Sequence, residues 1–77
     1  MKITLYLKGP LKKYGNHLNV LEVELSENQA TVQAAIEQFK VPASSISFIQ
    51  VDGEKAGLDT VLRGGEVIVV NPRVAGG

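Results

Sequence analysis

The chain has no cysteine and no tryptophan, and His17 is its single histidine. Without cysteine no disulfide can staple the fold, and no thiolate can serve as nucleophile or metal ligand. Two tyrosines and two phenylalanines leave few rings for stacking bases. Eight basic residues balance eight acidic ones to a net charge of zero, so nucleic acid is not an expected partner. The longest apolar runs are a few residues, against the roughly 20 that a membrane helix needs. The start, "MKITLYLKG", alternates and lacks the apolar core of an export signal. These absences lead to the expectation of a cytoplasmic protein without membrane or nucleic-acid partners.

What is present is one small core. Seventy-seven residues make one domain, and 44% hydrophobic content suffices to fill it. In residues 2–8, "KITLYLK", Ile3, Leu5 and Leu7 alternate with polar neighbours, the pattern of a half-buried strand. "GP" breaks it, and "LKKYGN" can make one helical turn with Leu11 and Tyr14 on one side, closed by Gly15. Residues 18–25, "LNVLEVEL", form a second strand in which Leu21, Val23 and Leu25 alternate with Val20, Glu22 and Glu24. The short gap predicts an antiparallel hairpin.

Val32, Ala35, Ile36 and Phe39 then fall at helical spacing. Thr31 is placed to cap that helix, Lys40 falls in its last turn, and Pro42 ends it. "SISFIQV" is a third strand, followed by an Asp52-Gly53 turn. In "GLDTVL", Leu58, Val61 and Leu62 are expected to pin a loop to the core. "EVIVVN" is a last strand, apolar on both faces. This order predicts an α+β fold of the β-grasp kind: a mixed four- to five-strand sheet with one main helix packed on one face. The first and last strands pair in parallel at its centre. Residues 1–72 form the domain, and 73–77 a flexible C-terminal tail.

Little in the domain looks like catalytic machinery. His17 sits at the hairpin tip without an obvious nucleophile. Glu22 and Glu24 fall on one strand face, as solvated residues or ion-pair partners do. "RGG" and "KGP" lack phosphate-loop spacing, and no cluster of metal-ligand type occurs. The expectation is a domain that is not itself an enzyme.

The tail "VNPRVAGG" is different. A terminal carboxylate is a poor electrophile, but an acyl-adenylate made from it is a good one, because AMP leaves readily. Glycine lets such a tail pass a narrow slot and approach a nucleotide closely. Residues 73–77, fully extended, reach about 17 Å, enough to enter a partner while the domain stays outside.

With "KITLYLK", "PLKKYG", "ATVQAAIEQF", "IQVDGEK", "VLRGGEVIVVNP" and the final "VAGG", the whole chain resembles the sulfur-carrier proteins of the MoaD and ThiS type, which have a ubiquitin-like β-grasp fold. The opening "LKGPLKKYG" and the length lean toward MoaD. The resemblance implies that an E1-like adenylyltransferase activates Gly77 with ATP. A sulfur donor of the cysteine desulfurase or rhodanese type then converts it to a thiocarboxylate for molybdopterin biosynthesis. It also implies that Gly76 gives clearance, that Val74 and Ala75 line the partner's tunnel, and that the large subunit of molybdopterin synthase is a candidate partner. The domain itself would bind no cofactor. Arg73 is a candidate for contact with acidic groups of a partner. The alternatives are a thiamine or other sulfur-carrier pathway, a ubiquitin-like modifier joined to lysines, or a β-grasp interaction module without tail chemistry. If Ile3, Leu5, Val67 and Val69 face the helix, then Tyr6, Val20, Ile68 and Val70 form an exposed apolar patch on the bare sheet face, a mark of an interface.

Overall fold

The computed structural model describes residues 1–73. Among them, five strands form one mixed sheet: β1 (Lys2–Leu7), β2 (Val20–Glu24), β3 (Ile46–Val51), β4 (Glu54–Ala56) and β5 (Val67–Pro72), in the order β2-β1-β5-β3-β4. β1 and β5 pair in parallel at the centre, and the other pairings are antiparallel. The helix α1 (Val32–Glu37) covers one face. This is the expected β-grasp, with β4 as a fifth strand too short and polar to show in the sequence.

Alternation decides which way β1 and β2 face. Ile3, Leu5, Leu7 and Val23 are buried, and Glu22 and Glu24 are exposed. The loop after β1 is a 3₁₀ segment, Gly9–Gly15, that buries Leu11 and ends in a left-handed Asn16. Gly15 is there for space: a Cβ on it would lie 2.5 Å from Leu21 Cδ1 and 3.2 Å from Leu7 Cδ1. The second strand begins at Val20 rather than Leu18, because Asn16 and His17 both take positive φ and leave Leu18 55% exposed at the tip.

The Thr31 hydroxyl accepts from the Ala34 N–H at 3.2 Å, capping α1 as expected. Val32, Ala35 and Ile36 are buried against the sheet. The helix stops at Glu37, and Lys40 lies beyond it in the left-handed region (φ 56°). At the β3–β4 turn, Asp52 and Gly53 both have positive φ, which suits a two-residue hairpin. Of the three apolar residues expected to pin the following loop, Leu62 is buried, whereas Val61 is 72% exposed and Leu58 36%. Backbone bonds tie that loop to the start of α1, with Val32 N–H donating to Thr60 O and Leu62 N–H to Ala30 O.

The expected composition of the bare face is corrected. Ile68 and Val70 are fully buried, not on the bare face. The parallel register sets Leu5 beside Ile68 and Leu7 beside Val70, so these two join the inward row of β1. Val67 and Val69 stand beside Thr4 and Tyr6 on the opposite side. In a run apolar at every position, alternation cannot choose a face; the pairing with β1 does.

Candidate functional site

The site is the bare sheet face at the end where the chain leaves β5. Four elements converge there: the end of β1, the 3₁₀ segment, the start of β3 and the end of β5. Arg73 N–H donates to Ser45 O at 2.9 Å, and Lys8 N–H donates to Val70 O at 3.2 Å. Gly9, at φ 57°, brings its backbone against Pro72, so that a Cβ there would lie 3.5 Å from Pro72 Cγ. These contacts hold the root of the tail on a rigid base.

On the bare face, Tyr6 pairs with Val20 on β2 and Val69 on β5. Val69 in turn pairs with Gln50, and Asn71 with Phe48. Tyr6 and Val69 are half-buried, Val20 is 54% exposed and Phe48 40%. The result is an apolar strip across the sheet beside the exit of the chain. Asn71 is the buried polar residue of the described core, and its Nδ2 donates to Phe48 O and Gln50 Oε1, both at 3.4 Å. It ties β5 to β3 one residue before Pro72.

Of the expected site residues, Tyr6 and Val20 are in this strip, and Arg73 is exposed at its edge. Ile68 and Val70 support it from the core side. Val74, Ala75, Gly76 and Gly77 lie outside the described residues. Val69 and Phe48 take the places assigned to Ile68 and Val70. Pairing "EVIVVN" with the other register against "KITLYLK" would have found Val69; Phe48 carries no signal of its own in the sequence.

His17 is exposed at the hairpin tip. Among the described residues, no group of three His, Cys, Asp or Glu side chains is placed to hold a metal, and no helix is long and apolar enough to cross a membrane. One carboxyl is perturbed. Slight burial pushes Glu66 up, but the N–H groups of Arg63 and Gly64, at 2.7 and 2.6 Å, its own N–H and the Arg63 charge together hold it below its ordinary value. This carboxylate fastens the loop before β5, at the end of the strand remote from the site.

Residues 3–76 match the family model described as Mut7-C ubiquitin. No curated protein matches the chain. Among solved structures, SAMP1 from Haloferax volcanii superposes with a TM-score of 0.77 at 18% identity, covering 100% of each chain. A chain of the BexX/CysO complex of Amycolatopsis orientalis does so at 0.72 and 20%, covering 97% of this chain and 99% of that one. A chain of the complex of subunits 1 and 2 of molybdopterin-converting factor from Helicobacter pylori does so at 0.63 and 22%, covering 100% of each. At these identities the likeness is one of fold: a ubiquitin-like β-grasp.

Proposed function

The chain belongs to the Mut7-C ubiquitin family, and from that premise we propose that it is a sulfur carrier activated at the carboxylate of Gly77. The observation that carries this reading is the rigid exit of the chain beside an apolar strip. Such an arrangement lets a partner grip the domain by Tyr6, Val20, Val69 and Phe48 while residues 73–77 run into its active site. Their reach of about 17 Å suits a channel that the domain itself cannot enter.

The chemistry then belongs to partners. An E1-like enzyme transfers AMP from ATP to the Gly77 carboxylate and releases pyrophosphate. The terminal sulfur of a donor persulfide attacks the acyl carbon, and AMP leaves with the electron pair of the broken C–O bond. A thiol cleaves the S–S bond of the resulting acyl disulfide, so the thiocarboxylate stays on Gly77 and the donor sulfur leaves in a new disulfide. In this scheme Gly76 gives clearance, Val74 and Ala75 contact the channel wall, and the domain binds no cofactor of its own. ATP is the partner's substrate, and the proposed reaction is cytoplasmic. Fold likeness to a chain of the molybdopterin-converting factor complex supports delivery to a pterin, with the large subunit as recipient. Fold likeness to SAMP1 supports a second reading, conjugation of Gly77 to lysines of other proteins.

Intact-mass analysis of the protein from its native cell tests both. A species ending at Gly77 in which sulfur replaces one oxygen supports the carrier; isopeptide adducts support the modifier. A chain that continues past Gly77, or a Gly77-deleted protein that still accepts AMP and sulfur, would sink the tail chemistry.

A further inference from the structure

The chain has no net charge, yet its charges are not evenly spread over the fold. Lys8, Lys12 and Lys13 lie on the 3₁₀ loop and the residue before it, which pack against the end of β5, and Arg73 follows that strand directly. All four are exposed. Lys13 Nζ stands 5.3 Å from the centroid of the Tyr14 ring, and Tyr14 packs on the core, so this ammonium is held in place. Lys12 is held through its carbonyl, which accepts from His17 N–H at 3.0 Å. Among the described residues none of the four joins an ion pair; the one ion pair there joins the Met1 amine to Glu24 at 4.0 Å.

Four of the eight carboxylates lie at the other end, interspersed with Lys2, Lys55 and Arg63. Asp52 Oδ1 accepts from Val67 N–H, Glu66 precedes β5, Glu54 follows the β3–β4 turn, and Glu24 pairs with Lys2. The fold therefore gathers four exposed cations around the root of the tail, whereas charges of both signs are mixed at the other end.

We propose that Lys8, Lys12, Lys13 and Arg73 form a cationic collar that docks on an acidic rim around the tail-accepting channel of the activating enzyme. The inference rests on the carrier reading above. A collar at the root of the tail orients the domain tail-first during approach, because exposed opposite charges raise encounter rates and lose that effect as salt screens them. The apolar strip beside it then supplies short-range contact. A protein neutral overall gains steering in one orientation without attracting acidic proteins to its other faces.

Two measurements test this. On a sulfonated cation-exchange resin at neutral pH, the wild-type protein is retained despite its zero net charge. The Lys12→Glu/Lys13→Glu variant flows through, and Lys55→Glu, at the other end, is still retained. In adenylation by the E1-like enzyme of the same organism, followed by pyrophosphate release, wild-type kcat/KM falls about tenfold as salt rises from about 50 to about 500 mM. The double variant starts about tenfold lower, responds little to salt, and keeps the wild-type kcat. Equal salt responses in wild type and variant, with adenylate formed by both, overturn the collar and leave the carrier intact. Absence of adenylate from wild type at every salt concentration overturns both.

Discussion

Val69 and Val70 are adjacent, identical in chemistry and part of the same strand, yet the structure gives them opposite surroundings. Val70 is fully buried and stands beside Leu7 in the central parallel pair. Val69 is half-buried on the bare face beside Tyr6. Replacing each with alanine removes the same atoms and the same β-propensity, so the difference isolates burial. At Val70 the loss is about 1.6 kcal/mol for two buried carbons, and the unfilled cavity adds about 1 kcal/mol. Val70→Ala therefore costs about 2.5 kcal/mol, and Val69→Ala about 0.5–1 kcal/mol. A domain of this size has a total stability of roughly 4–12 kcal/mol. Each kcal/mol shifts the midpoint by about 4–8 °C, so Val70→Ala melts about 10–20 °C below wild type and Val69→Ala within about 8 °C of it. Urea unfolding followed by circular dichroism reads both, with unchanged m-values as the check that the unfolded states are comparable. Equal losses, or a larger loss at Val69, would refute the register between β1 and β5 and return Ile68 and Val70 to the bare face.

Thr31→Ala removes the acceptor for the Ala34 N–H and is expected to cost about 1 kcal/mol, with Thr31→Ser keeping most of it; thermal melts separate the two. Gly15→Ala forces a methyl against Leu21 Cδ1 and Leu7 Cδ1 and is expected to cost about 1–2 kcal/mol. In a Leu21→Ala background that cost shrinks, and a double-mutant cycle by urea unfolding measures the coupling. Glu66 has a folded-state pKa below its unfolded value. Its stabilising contribution is therefore present above the unfolded pKa and is lost as pH falls through the folded one. Glu66→Gln removes about 1 kcal/mol or less at neutral pH, after allowance for solvent screening, and melts from pH 7 to pH 3 show a correspondingly shallower acid decline.

Much of this fold is local and could be read without coordinates. The alternation of β1 and β2, the Thr31 cap, the stripe of Val32, Ala35 and Ile36, and the Asp52-Gly53 turn each express a rule that acts within a few residues. Phe39 continues the apolar stripe and so extends the expected helix beyond its observed end at Glu37. Only the backbone shows that the chain turns at Gln38–Lys40 to reach β3. β4, the three residues Glu54–Ala56, is too short to carry a pattern of its own.

The candidate site divides the same way. The proposed reactive residue, Gly77, is read from the order of residues alone. The surface that presents it is not. "VIVV" offers apolar residues to both faces, and a parallel strand takes its facing from hydrogen bonds to a neighbour more than sixty residues away in the chain. That pairing sends Val69 outward and Val70 inward. The same crossing packs the segment that carries Lys8, Lys12 and Lys13 against the end of β5, which Arg73 follows, across a separation in sequence that no local rule spans. Composition fixes the number of charges; only the fold decides that four of the cations lie around the root of the tail.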